Sequence, residues 1–189
     1  MALTRPMPSA PTTQALATGL EKFIEGSDPR NRLLKETPHR LRVFSLTLES
    51  VVKSGIQDAK PKGWRFMVAP TSDEAVAAHV REAEGGVPKL TGVSEGPVVG
   101  RAVNVADLLE TLVDAANNYE MRVLRVPGVP IEVFWLKADN GDDRVIPFVS
   151  LTAGLEEGHA YRMQDFLAKI QPIAKKRLDF DTSSPESQN

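Results

Sequence analysis

The chain has 189 residues, 23 basic and 25 acidic side chains, a formal net charge of −2 and no cysteine. With 41% hydrophobic and 25% charged residues it has the composition of a folded globular protein, and so nearly neutral a chain is not disordered as a whole. The missing cysteines exclude disulfides, thiolate nucleophiles, iron–sulfur clusters and cysteine-based zinc sites, and no run approaches the ~18 apolar residues that span a bilayer.

The N-terminal stretch has no apolar core of the secretory type, and the balanced charge supplies no bulk attraction to nucleic acid. The expectation is a cytoplasmic protein without a membrane span, long enough to bury roughly 70% of its unfolded surface.

Residues 1–12, with Pro6, Pro8 and Pro11, read as a flexible tail. Leu16, Leu20, Phe23 and Ile24 form one apolar stripe, which predicts a helix over 13–25. Asp28-Pro29 and Thr37-Pro38 both read as helix starts, and Leu41, Phe44, Leu48, Val51 and Val52 predict a second helix over 38–54. Together these form an N-terminal helical arm, 13–54.

The texture changes at Trp64–Ala69, a short apolar run of strand type. Thr71 and Glu74 have the spacing of a capping box, predicting a helix through Glu84. A short strand is expected at Val98–Ala102. A helix then begins near Asn104, with Val105, Leu108, Leu109, Leu112, Val113 and Ala116 on one stripe.

Three strands follow, over 119–126, 131–136 and 145–149. Val126-Pro-Gly-Val129 has the type II turn pattern, and Asp139-Asn-Gly-Asp-Asp143 reads as a hairpin loop. Pro147 marks the third strand as an edge that could pair with another chain. A last helix is expected over 161–177, interrupted at Pro172, and 179–189 should be a loose tail.

The sum is an α+β fold in which a mixed or mainly antiparallel sheet, with a C-terminal three-stranded meander at 119–149, is packed by helices. The body is expected over 63–178, beside the N-terminal helical pair. No internal repeat is visible in the sequence.

The sharpest motif is Gly92-Val-Ser94-Glu-Gly96, the G-x-S-x-G string of serine hydrolases, with Asp139 or Asp142 and then His159 following in that order. A nucleophile elbow needs a strand into the serine and a helix out of it, whereas Pro97-Val-Val reads as strand. The 139–143 loop has the wrong spacing for an EF-hand, and His39, His79 and His159 have no metal-ligand spacing. His79 reads as a partly buried packing residue. No metal and no cofactor are expected.

The densest basic stretch is Arg30, Arg32, Lys35, His39, Arg40 and Arg42, with Lys175-Lys176-Arg177 as a smaller one. Without interleaved aromatics it gives little support for base stacking, so nucleic acid is disfavoured. Phe134 and Trp135 face opposite ways on one strand, so one of them needs more helix or a partner to cover it.

The leading expectation is therefore a non-enzymatic interaction or assembly subunit (adaptor, inhibitor or structural component) with a protein partner or a second copy. Its binding residues would be Arg30, Arg32, Lys35, Arg40, Arg42 and Trp135. The alternatives are a small serine hydrolase using Ser94, His159 and Asp142, and an anion or nucleic-acid contact through 30–42.

Overall fold

The computed structural model describes residues 3–23, 33, 39–69, 75–82, 85–112, 118–150 and 154–183. It is an α+β fold built on one nine-stranded, mostly antiparallel sheet. The strands are β1 (Leu3–Thr4), β2 (His39–Ser45), β3 (Lys60–Val68), β4 (Val76–Arg81), β5 (Lys89–Glu95), β6 (Tyr119–Arg125), β7 (Ile131–Ala138), β8 (Arg144–Ser150) and β9 (Tyr161–Arg162). Among the described residues the helices are α1 (Ala10–Phe23), α2 (Leu48–Lys53), α3 (Pro97–Leu112) and α4 (Met163–Ser183), with a 3₁₀ turn at Gly55–Asp58.

The strand order is β5-β4-β3-β2-β6-β7-β8-β9. Neighbours along it run antiparallel except β2 and β6, which are parallel at the centre, with Arg42 opposite Arg122 and Val43 opposite Val123. Pairing between β2 and β6 begins at Arg42, and Leu3 and Thr4 of β1 occupy the same side of β6 at Tyr119 and Glu120. The chain order partly repeats: β2–β5 are followed by α3 and β6–β9 by α4, with α2 inserted between β2 and β3.

Helices cover both faces. On the front, Val99, Ala102, Val103, Ala106 and Leu109 of α3 pack on Met67, Met121, Phe134 and Phe148. On the back, α1 places Leu16 and Leu20 on Trp64, Phe66 and Val80. Beside it, α2 and α4 place Val51, Phe166 and Ile170 on Phe44, Val133 and Trp135. The rings of Phe134 and Phe148 lie 4.4 Å apart, and that of Trp135 meets Phe44 edge-on at 5.3 Å. Each aromatic buried this way contributes about 2–3 kcal/mol of transfer free energy.

Several expectations are corrected. The second helix of the N-terminal pair is β2 followed by the one-and-a-half turns of α2, capped by Thr47 Oγ1, which accepts a hydrogen bond from the Ser50 amide at 3.2 Å. His39-Arg-Leu-Arg-Val-Phe44 alternates with period two, sending Leu41 and Val43 to the front core and Phe44 to the back. The helical stripe counted Leu41 and Phe44 together and missed that alternation. Leu3 and Thr4, expected in a tail, are in the sheet, and Ser9 caps α1 through a 3.3 Å bond from the Thr12 amide to its Oγ.

The helix expected after Thr71 is strand β4. Ala75 and Ala77 are buried in front and Val76, Ala78 and Val80 behind, so alanines of high helix propensity serve a strand covered on both faces. Pro70, Thr71 and Glu74 lie outside the described residues. The strand expected at 98–102 is helix, because Gly96 turns the chain at φ +98° and Pro97 starts α3. α3 buries Val99, Val103 and Ala106, while Leu108 of the expected stripe is 56% exposed. Residues 113–117 of that helix lie outside the described residues.

At the other end, α4 runs through Pro172 to Ser183, past the expected limit at 177, so Lys175, Lys176 and Arg177 lie within it. β8 is not a bare edge. β9 pairs with Arg144 and Val145, the Gly158 amide donates to the Pro147 carbonyl at 2.8 Å, and the Ser150 amide donates to Glu157 Oε1 at 3.0 Å.

Candidate functional site

The basic residues singled out by sequence do not form one helical face. Arg40 and Arg42 are on β2, and Arg30, Arg32 and Lys35 lie outside the described residues. Trp135 is 4% exposed, with its Nε1 donating to Asp143 Oδ2 at 2.8 Å, so it is an interior side chain rather than a docking residue. Asp143 also accepts from the Ala138 amide at 3.0 Å and pairs with Lys137 at 3.1 Å, which closes the 139–143 hairpin around one carboxylate. Among the described residues no three His, Asp or Glu side chains gather as a metal site would require.

The proposed triad is not assembled either. The His159 ring packs on Tyr161 at 4.6 Å, and Asp142 is engaged by Arg144 at 2.8 Å. Ser94 sits on the front of β5, opposite Ala77, and its Oγ lies 3.4 Å from Nε2 of His79. Helix α3 does begin soon after the serine, so the local context is closer to an elbow than Pro97-Val-Val suggested. Two further parts fail, however. Among the described residues no carboxylate orients the His79 ring, and the Gly96 amide, a candidate oxyanion donor, is bonded to the Ala75 carbonyl at 3.0 Å.

His79 and Ser94 belong to a different constellation, in an open pocket of about 790 Å³ on the front of the sheet. Its apolar lining includes Val43 of β2, Val149 of β8, Val98 at the start of α3, and Pro127 and Pro130 around the Pro127-Gly128 turn. That turn forms as the sequence dictates, with Gly128 at φ +89° and the Val129 amide bonded to the Val126 carbonyl at 3.0 Å.

The floor is ionic. Arg65, 4% exposed, donates from Nη1 to Glu132 Oε2 at 2.5 Å, while Arg125 Nη2 holds the other carboxylate oxygen at 2.5 Å. Arg65 also lies over the Phe148 ring at 5.3 Å, and its Nε is buried without a hydrogen-bond partner. Burial pushes the Glu132 carboxyl up, but Arg65 and Arg125 outweigh it and hold the pKa below its ordinary value of 4.5. His79, cross-strand from Arg65, is pushed down to about 4, first by burial and then by Arg65 and Arg125. It is neutral at pH 7.

Lys62 and Arg81 complete the lining, both exposed and neither ion-paired among the described residues. Four cations therefore face one carboxylate, a surplus of three positive charges with His79 neutral.

Sequence reasoning missed Arg65, Arg125 and Glu132 as a group, although a signal was present. Arg65 is the lone charge in the apolar run Trp64–Ala69, and Glu132 is the lone charge in Ile131–Leu136. Single charges of opposite sign in two interior strands call for each other, because an unpaired buried charge is costly. No protein-family model, no curated protein and no solved structure matches the chain.

Proposed function

We propose that the protein is a non-catalytic binding protein whose front pocket takes a small amphipathic organic anion, an aliphatic carboxylate in the simplest case. The observation that carries this reading is the ion chain of buried Arg65, Glu132 and solvent-exposed Arg125 on the floor of a pocket with surplus positive charge. An apolar wall accepts a hydrocarbon tail, and cations at the floor and rim draw the anionic head. This reading departs from the sequence expectation in the partner, a small molecule in place of a protein or a second copy. A cytoplasmic setting remains part of the proposal.

The test is thermal unfolding with octanoate and with octanol. Octanoate is expected to raise the midpoint in a saturable way and octanol to leave it unchanged. Arg125→Ala and Lys62→Ala, at exposed positions, should weaken the effect. Equal response to both compounds, or none to either, overturns the reading.

A second reading retains Ser94 as a nucleophile with His79 in the role expected of His159, on the strength of their 3.4 Å contact. Labelling by a fluorophosphonate probe that is lost in Ser94→Ala would support it. Absence of labelling in folded protein removes it.

A further inference from the structure

A second group of charges lies on the back face, over the central strands and away from the pocket. β2 and β6 are in parallel register there, with Arg42 directly beside Arg122. Two guanidiniums in register repel, and each needs a counter-charge.

Arg122 has one. Its Nε and Nη2 both donate to Glu120, at 2.7 and 2.6 Å, and its guanidinium lies 4.6 Å from the Phe44 ring and 4.8 Å from the Trp135 ring. Among the described residues Arg42 has none. Its guanidinium lies 5.9 Å from the Phe44 ring, and its Nε is buried without a hydrogen-bond partner. Two residues earlier on the same strand, Arg40 donates only to the weak acceptor Met7 Sδ, at 3.7 Å. Two consecutive same-face positions on the middle strand therefore carry guanidiniums that no described carboxylate neutralises, and both side chains are partly open to solvent.

We propose that Arg40 and Arg42 form a binding site for a phosphoryl dianion on the back of the sheet. Same-face neighbours on a strand stand about 7 Å apart, a span that two forks can close around one tetrahedral group. A carboxylate presents two oxygens and is filled by one fork, as Glu120 is filled by Arg122. A phosphoryl group presents three oxygens and two charges, enough for both arginines and for the unmet Nε–H of Arg42.

The experiment titrates the full chain with inorganic phosphate and with acetate at constant ionic strength, following amide chemical shifts and the thermal midpoint. Phosphate is expected to bind saturably and acetate weakly. Arg42→Met should weaken phosphate about tenfold. The fold should hold, since the change removes a buried donor that has no partner, and the thermal midpoint without ligand checks this. Arg40→Met, at a more open position, is the second variant and should weaken phosphate too. Arg125→Ala, on the front floor, should leave phosphate binding unchanged.

Glycerol phosphate against vesicles of phosphatidylcholine with and without phosphatidic acid then separates a soluble from a lipid source, and binding of either supports the site. Phosphate binding that survives both methionine variants, or that is lost only in Arg125→Ala, overturns it. So does an affinity for acetate equal to that for phosphate, or binding of an oligonucleotide without any response to phosphate.

Discussion

His79 is the residue whose setting differs most from its appearance in the sequence, where it reads as a packing residue on a helix. On the floor of the front pocket its pKa is pushed down to about 4 from 6.5. The folded protein therefore resists protonating it while the unfolded chain does not. The neutral ring's contribution is complete above pH 6.5 and is lost as pH falls from 6.5 to about 4. The loss is on the order of 3 kcal/mol. Urea unfolding at pH 7, 6 and 5 should show this decline, and His79→Gln should flatten it over the same window. Glu132 acts in a different range. Its folded pKa is depressed, so its contribution is present above about pH 4.5 and disappears as pH falls below that value. Glu132→Ala strands the buried Arg65 and should cost about 3–5 kcal/mol at pH 7 by urea denaturation.

At the scale of elements, close approaches hold the layers together. The Thr12 hydroxyl donates to Glu82, and Trp64 Nε1 donates to the same carboxylate oxygen at 2.9 Å, tying α1 to β3 through one acceptor. Gly19 lets α1 come so near β5 that an added Cβ would lie 2.4 Å from Leu90 Cβ. On an exposed helix Gly→Ala stabilises by about 1 kcal/mol. Gly19→Ala should instead destabilise by about 1–3 kcal/mol, and the sign of its shift in thermal midpoint checks the docking of α1. Gly63 sits at φ +144°, with the Val80 carbonyl oxygen 2.0 Å from where a Cβ would be. It lies at the register shift between β2 and β3, where no side chain fits. Asp143→Asn should loosen the β7–β8 hairpin by about 1–3 kcal/mol, since Ala138 and Trp135 both donate to that carboxylate.

Over the whole molecule, the parallel pair β2–β6 makes the two four-stranded halves one sheet, with β2 at its middle. An independent N-terminal arm would unfold separately from the body. A shared central strand makes a single cooperative transition the expectation. The protein carries its own reporters, because Trp64 packs under α1 and Trp135 under α2 and α4. Single-tryptophan variants Trp64→Phe and Trp135→Phe should give coincident denaturation midpoints. Midpoints separated by more than experimental error would mean that the halves unfold as distinct units. A bound carboxylate should shift both reporters together, by about 2.7 kcal/mol at a hundredfold excess over its dissociation constant.

The α+β class, and the lack among the described residues of any helix long and apolar enough to cross a membrane, were legible in the sequence, because they depend on composition and on periodicities carried within a few residues. The same holds for the Pro127-Gly128 turn, where a local φ requirement decides the conformation. Local signals failed where the fold supplies the environment. Val76–Val80 and His39–Phe44 contain residues acceptable to helix or strand, and burial on both sides of the sheet chose strand for each. The site was less legible still. Arg65 is 67 residues from Glu132, and Arg42 is 80 residues from Arg122, so only pairing across the sheet brings these charges together. Sequence determined which strands carry a lone charge; tertiary structure decided which charges meet and which are left without a counter-charge among the described residues, because attraction and desolvation depend on distance in space.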